Sequence, residues 1–272
     1  MIIREGVENE AGILLFASDI AENHEDYNAA GLDILYAAEE KHFWFLNRKQ
    51  RIINVFQQYV KIHESVLEIG AGTGNVARAL QKAGYDVSVG EMHLSGLHYA
   101  KSYGIKNCYQ FDLFEPPFSE HFDVIGLFDV LEHLQEDVLA MQRVQSMLKP
   151  NGCVVLTVPA HQWLWNRDDA IAAHKRRYTL KSLKTVMEKA GFEILYGRYF
   201  FFSILPLLLL RRILNADNGS PVEEKEHHQK ININPLINRI LLKMSRLENR
   251  FAPWMPNLAG GSIILVAKKP GN

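Results

Sequence analysis

The stretch Val66-Leu67-Glu68-Ile69-Gly70-Ala71-Gly72-Thr73-Gly74-Asn75 decides the fold. A short apolar run of strand length stops at alternating glycines. Val76, Ala77 and Leu80 then recur at helical spacing. A strand that turns sharply into a helix is the opening of a βαβ unit and of a parallel sheet. The glycines let the backbone turn and come close to a ligand with no Cβ in the way. Such a ligand sits at the carboxyl edge of the sheet, beside the N-terminus of the next helix.

Working outward, apolar runs and amphipathic helices alternate. Further strands are predicted at Asp86 to Val89, Asn107 to Phe111, Phe122 to Phe128, Cys153 to Val158, Phe192 to Tyr199 and Ser262 to Ala267, seven in all. Helices are predicted after Asn75, from about Ser95 to Gly104, and through Leu134, Val138, Met141, Val144 and Leu148. Another starts at Thr179, whose hydroxyl suits an N-cap, and stops at Gly191. Lys149-Pro150-Asn151-Gly152 reads as a turn. Upstream, Phe45, Ile52, Phe56 and Val60 define the apolar side of a helix from His42 to Tyr59, with Arg48, Lys49 and Arg51 opposite.

Three segments follow. Residues 1–41 form an irregular N-terminal extension; residues 42–199 and 261–272 form the α/β domain; residues 200–260 form a helical insert or lid. The insert opens on the apolar run Tyr199 to Leu210, followed by Arg211 and Arg212. A spanning helix needs roughly 20 apolar residues, and this run is shorter and holds Pro206. It reads as a buried helix or as an interfacial segment that meets a bilayer or a lipid-like substrate. Residues 216–234 are polar and loop-like, and Leu236 to Leu247 is a second amphipathic helix.

The chain has 272 residues, of which 47% are hydrophobic and 22% charged, which excludes a disordered or low-complexity chain. A net charge of −1 offers no global positive field for nucleic acid. Two cysteines, Cys108 and Cys153, cannot build a disulfide framework or a four-cysteine zinc site. The opening MIIREGVENE is acidic and lacks an apolar core, unlike a secretory signal. The expected location is the cytoplasm, with a peripheral contact on the inner membrane face through 199–212 left open.

Two acids extend the glycine loop into a pocket. Glu91 closes the second strand, and its carboxylate can accept hydrogen bonds from both ribose hydroxyls. Asp112 closes the third strand and can accept from an exocyclic amine such as adenine's. A dinucleotide fingerprint would place a third glycine where Asn75 stands. The spacing here is G-x-G-x-G.

The run E-x-G-x-G-x-G from Glu68, the acids after strands two and three, Phe122 to His133, and Leu148-Lys149-Pro150-Asn151-Gly152 together resemble the class I S-adenosylmethionine-dependent methyltransferases. The resemblance covers residues 42 to about 199 and the final strand. It extends to the ubiquinone-biosynthesis O-methyltransferases in the nucleotide-binding half. It implies a Rossmann-like, mostly parallel seven-stranded sheet whose last strand is antiparallel, with helices on both faces. It also implies S-adenosyl-L-methionine as cofactor, leaving as S-adenosyl-L-homocysteine. On the matching positions, Gly70, Ala71 and Gly72 would line the amino-acid end of the cofactor, and Glu68 would support that loop. Glu91 would hold the ribose, with Met92 packed on the adenine. Asp112 would bind the adenine amine beside Leu113, and Phe128 and Asp129 would line the pocket.

The acceptor side is less determined. His133 is the candidate base for an oxygen acceptor, or a cap for the following helix. Asp129, Glu132 and His133 resemble the D/E-x-x-E-H stretch with which ubiquinone-biosynthesis O-methyltransferases can hold a divalent ion, but no metal ligand is assigned here. The aromatic cluster His42 to Phe45 covers the cofactor in such families, or packs in the core. His161, Trp165, His174, Arg177 and Tyr178 mix rings and cations near the carboxyl edge. They either grip an anionic acceptor or belong to a salt-bridged loop, with Asp168 or Asp169 pairing Arg176 or Arg177. The expected acceptor is small or lipid-like and methylated at oxygen. The rivals are a nicotinamide-dependent oxidoreductase and a non-catalytic S-adenosylmethionine-binding scaffold.

Overall fold

A computed structural model describes residues 1–16, 23–24, 27–28, 30–222 and 233–271. Strand β5 (Ser65–Ile69) is the middle member of a nine-stranded sheet. On one side lie β6 (Asp86–Glu91) and β7 (Cys108–Gln110). On the other lie β8 (Phe122–Phe128), β9 (Leu148–Pro159), β11 (Ser262–Lys268) and β10 (Glu193–Phe200), in that order. Strands β5 to β9 pair in parallel, whereas β11 runs antiparallel to both β9 and β10. The order reverses between β5 and β8, so a crevice opens there above the carboxyl ends of the strands.

Helices α3 (Asn75–Lys82) and α4 (Leu94–Ser102) cover one face, and α5 (Asp137–Met147) and α7 (Leu180–Lys189) cover the other. The central strands are buried on both sides, which explains their continuous apolar runs. Val66, Val89, Val124, Val155 and Ile264 point to one core. Leu67, Ile69, Ile125, Leu156 and Leu265 point to the other. Thr179 caps α7 as expected, its hydroxyl accepting from Ser182 N–H at 3.1 Å.

The sheet has nine strands, not seven. The two extra ones, β1 (Val7–Glu8) and β2 (Leu14–Leu15), come from the N-terminal 41 residues; β2 pairs in parallel with β7. Strands of two residues carry no alternation that a sequence pattern could show. A separate hairpin joins β3 (Asn23–His24) to β4 (Tyr27–Asn28), and α1 (Ala30–Glu39) follows. The expected turn at Lys149 to Gly152 lies inside β9, with Asn151 at φ +65°.

Helix α2 (Phe43–Tyr59) forms where expected but rolls from the expected face. Its buried stripe is Phe43, Asn47, Arg51, Ile52, Val55 and Phe56, so two polar side chains face inward. Arg51 donates to Tyr196 Oη at 2.7 Å, and Asn47 accepts from Asn249 Nδ2 at 2.8 Å. Those bonds offset part of the cost of burial, while Asn47 Nδ2 and Arg51 Nε find no hydrogen-bond partner among the described residues.

Residues 200–260 contain α8 (Leu205–Leu214) and α9 (Pro235–Phe251), and α9 packs along α2. Residues 223–232, most of the expected polar loop, lie outside the described residues. No described helix is long and apolar enough to cross a membrane.

Candidate active site

The loop after β5 carries Gly70, Gly72 and Gly74, all with positive φ (+65°, +53° and +75°). At Gly70 a Cβ would come within 2.6 Å of Val130 Cγ2, so the loop lies directly against the end of β8. This is a cradle that a side chain would fill. Helix α1 closes it from above. Leu32 is buried 3.7 Å from where a Gly72 Cβ would stand, and Glu39 accepts from the Thr73 hydroxyl at 2.5 Å. The sequence reading missed both residues because α1 has no recognisable apolar period.

Glu91 stands at the end of β6. Its Oε2 accepts from Gly72 N–H at 2.9 Å, and its Oε1 accepts from Met92 and His93 N–H at 2.7 and 3.1 Å. The acid therefore ties two loops together. Oε1 is saturated by its two bonds, whereas Oε2 keeps a second lone pair, enough for a ribose hydroxyl. Asp112 Oδ1 accepts from Phe114 N–H at 2.8 Å, just after β7. The Met92 carbonyl accepts from Gln110 Nε2 at 3.0 Å, which ties the residue after β6 to the end of β7. Leu113 is buried in the core beneath, and Ala71 packs against the opposite core.

Under the glycines sits a group of buried charges. Glu68 is almost fully buried, and burial pushes its carboxyl up to about 8, against the pull of Arg48. Burial likewise raises Glu39, with the Thr73 hydrogen bond opposing. Arg48 of α2 pairs with Asp129, which also accepts from Thr157 Oγ1 at 2.9 Å. Burial would weaken the guanidinium's hold on its proton; Asp129 more than restores it. Asp129 has φ +59°, a strained backbone for a residue with a side chain. Phe128, just before it, is buried against Phe56.

Past Asp129 the chain makes a short 3-10 turn, Leu131–His133, so His133 does not cap α5. The turn buries Glu132 completely, and no side chain among the described residues hydrogen-bonds its carboxyl oxygens. Burial, with Asp129 adding to it, holds that carboxyl well above the carboxylate range. His174 comes in from the loop after α6 (Arg167–Ile171). Its ring sits edge-on to His133 at 4.8 Å between centroids. His174 Nδ1 lies 2.8 Å from Asp169 Oδ1, and Nε2 lies 3.9 Å from Glu132 Oε1. Glu132, His133 and His174 each offer a donor atom within 4.8 Å of one another. Asp129 is not of this set: Arg48 holds it.

The remaining acceptor-side candidates are mostly committed to the fold. Arg177 forks onto Asp169, with Nε at 2.7 Å and Nη2 at 2.9 Å. The hydrogen bonds from His174 and Arg177 keep Asp169 ionised, overcoming the upward push of burial. Tyr178 is buried with its hydroxyl 3.0 Å from Asp137, and burial raises it far above an ordinary phenol. Arg176 pairs with the same Asp137 at 3.0 Å, and Asp168 pairs with Arg211. His161 is sandwiched between Trp163 and Tyr199, its basicity lowered first by burial and then by Arg177. Trp165 Nε1 donates to Asp217 at 3.0 Å and lines a depression with Gln162, Arg212 and Ile213. Trp44 stacks on Phe201 at 4.1 Å, so the His42 to Phe45 cluster packs against the insert.

Residues 36–196 match the family described as "Methyltransferase domain". The chain belongs to that family. The glycine cradle, Glu91 and Asp112 at the three strand ends fit S-adenosylmethionine, the cofactor of the S-adenosylmethionine-dependent methyltransferases. A ubiquinone biosynthesis O-methyltransferase of Histophilus somni is 32% identical over 101 residues, 33% of this chain and 42% of that protein. One of Bradyrhizobium diazoefficiens is 27% identical over 128 residues, 43% and 47% respectively. The chain thus spans about half the length of the curated relatives it matches. A Haemonchus contortus phosphoethanolamine N-methyltransferase 2, solved with S-adenosylmethionine, aligns over 91% of this chain and 58% of its own. Its TM-score is 0.59 at 17% identity. An S-adenosylmethionine-dependent methyltransferase of Archaeoglobus fulgidus aligns over 81% and 92%, with TM-score 0.52 and 19% identity. These two likenesses concern the fold. The match ends at residue 196, before α8 and α9.

Proposed function

We propose that this methyltransferase moves a methyl group from S-adenosylmethionine to a hydroxyl oxygen of a small or lipid-like acceptor. The observation that carries the reading is the imidazole pair His133 and His174 beside buried Glu132, at the mouth of the crevice next to the glycine cradle. Bound S-adenosylmethionine supplies a methyl already activated on a sulfonium, and the neutral thioether S-adenosylhomocysteine leaves. A hydroxyl attacks well only as its proton departs, so an oxygen acceptor calls for a base. His133 takes that proton while the new C–O bond forms and the S–C bond breaks. Asp169 accepts from His174 Nδ1–H, which fixes the tautomer and turns Nε2 toward Glu132. The crevice otherwise aligns the two reactants and excludes water. Matches to O-methyltransferases at low identity support oxygen, and the exposed leucines of α8 support a lipid-like acceptor.

The test follows S-adenosylhomocysteine release with hydroxyl-bearing aromatic or prenyl acceptors and with amines. His133→Ala should lower kcat by about 10²-fold or more while calorimetric affinity for S-adenosylhomocysteine stays. Turnover on amines alone, or an unaffected variant, refutes the oxygen reading. NADH binding in place of S-adenosylhomocysteine would revive the oxidoreductase, and cofactor binding without any turnover the scaffold.

A second reading rests on the orphaned Glu132 carboxyl. One carboxylate and two imidazoles suit a divalent ion such as Mn²⁺ or Mg²⁺. Glu132, His133 and His174 would hold it, and it would polarise the acceptor oxygen. Titration with Mn²⁺, read by its paramagnetic signal in wild type and Glu132→Gln, distinguishes the two.

A further inference from the structure

We propose that α9 is a membrane-contact helix that seats this enzyme on an anionic phospholipid surface. The sequence pattern placed any such contact on 199–212; the structure shifts its weight to 235–258.

Helix α9 has three faces. Leu241, Ser245 and Glu248 are buried, stepping by four and three residues toward α2. Asn238 and Asn249 pin that side, bonding to Phe43 N–H, Lys41 carbonyl and Asn47. Glu248, the helix's one acid, accepts from Phe202 and Ser203 N–H at 3.0 and 2.8 Å. The second face is apolar and outward. Leu236, Ile240, Met244, Leu247 and Phe251 step by four, four, three and four, and each is between 41% and 65% exposed. Trp254, next along the chain, is 77% exposed. A monomer in water gains nothing from such a stripe.

The third face decides the occupant. Arg239, Lys243, Arg246 and Arg250 step by four, three and four along one flank of the stripe, all exposed. None of them forms an ion pair among the described residues. With the helix's acid turned inward, the outward surface is apolar and cationic only. The chain as a whole carries −1, so this charge is local. A second copy docking face to face would oppose cation to cation. An anionic bilayer complements both features: apolar side chains enter the boundary between headgroups and acyl chains, and arginines and lysine meet the phosphates. Tryptophan favours that same depth. Helix α8 has no buried residue and adds Ile213 and Leu214, 70% and 76% exposed, and Arg212.

This inference does not rest on methyl transfer, and its test keeps the two apart. The full chain is sedimented with pure phosphatidylcholine vesicles and with mixed phosphatidylcholine/phosphatidylglycerol vesicles. Binding to the mixed vesicles should exceed binding to neutral ones at least tenfold and weaken with salt. The triple variant Arg239→Glu/Lys243→Glu/Arg246→Glu should lose it, and so should Ile240→Ser/Leu247→Ser. Both variants alter exposed positions and should keep the wild-type melting temperature and S-adenosylhomocysteine affinity. Absence of vesicle binding, equal binding to neutral vesicles, or binding retained by the variants overturns the proposal. A dimer in solution that Ile240→Ser/Leu247→Ser dissociates, without vesicle binding, overturns it in favour of a second copy.

Discussion

Glu68→Gln tests the electrostatics beneath the glycine loop. The wild-type carboxyl is lifted from 4.5 to about 8 in the folded chain, chiefly by burial. An acid raised in this way costs nothing below pH 4.5, where both states hold the proton. Between pH 4.5 and 8 the folded state holds more proton than the unfolded one, so stability falls as pH rises. Above pH 8 the cost is constant. At about 1.36 kcal/mol per pH unit the full penalty is about 5 kcal/mol, and the part accruing between pH 5 and pH 8 is about 3 to 4 kcal/mol. Glutamine has nearly the same shape and no charge to bury. Urea unfolding of both proteins at pH 5, 6, 7 and 8 should show the stability gap widening toward alkaline pH by about that amount. A gap that stays flat within about 1 kcal/mol would mean that Glu68 is ionised in the fold, with Arg48 neutralising it. The wild-type carboxylate would then be an ion-pair partner, and its assignment as a buried neutral acid would fall.

Two other substitutions probe the cofactor cradle. Gly96→Ala places a Cβ 2.3 Å from the carbonyl oxygen of Gly72. It should cost about 1 to 3 kcal/mol and weaken S-adenosylhomocysteine binding together with the melting temperature; an unshifted melting curve would show that α4 can retreat from the loop. Glu91→Ala removes the acceptor for three backbone N–H groups, so calorimetry should record at least a hundredfold loss of S-adenosylhomocysteine affinity, whereas unchanged affinity would remove Glu91 from the ribose.

The parallel core was legible because its physics is local in sequence. Strands buried on both faces must be apolar throughout, and three glycines after one of them mark a backbone that no other residue can follow. Glu91 and Asp112 were legible by position alone, each the last polar residue before a turn. What escaped depends on long-range pairing. Phe43 replaces Phe45 on the inner face of α2 because Arg51 and Asn47 find partners on Tyr196 and Asn249, far along the chain. Arg48 read as solvent-facing, yet it closes on Asp129, which is thereby withdrawn from the Glu132 and His133 pair. His174 joined that pair only through a loop 40 residues downstream, a juxtaposition that no spacing rule contains. Within residues 168–177 Asp169 pairs with Arg177, whereas Asp168 and Arg176 find partners elsewhere, a choice that two adjacent acids and two adjacent cations leave open in the sequence.

The short pairings of β1 and β2 have a consequence for solubility. Without them β7 would be the sheet's rim, a bare row of N–H and C=O groups open to another molecule's strand. Met1 and Ile3 anchor this segment on Ser119 and Pro117, and Phe16 packs edge-on against Phe118. At the far rim, Asn257 takes the place of a neighbouring strand, its amide bonding Tyr199 N–H and Gly197 carbonyl of β10. Both ends of the sheet are thus stoppered by pieces of the chain outside the parallel core, and stacking of one molecule onto the next is blocked where an open α/β sheet is most prone to it.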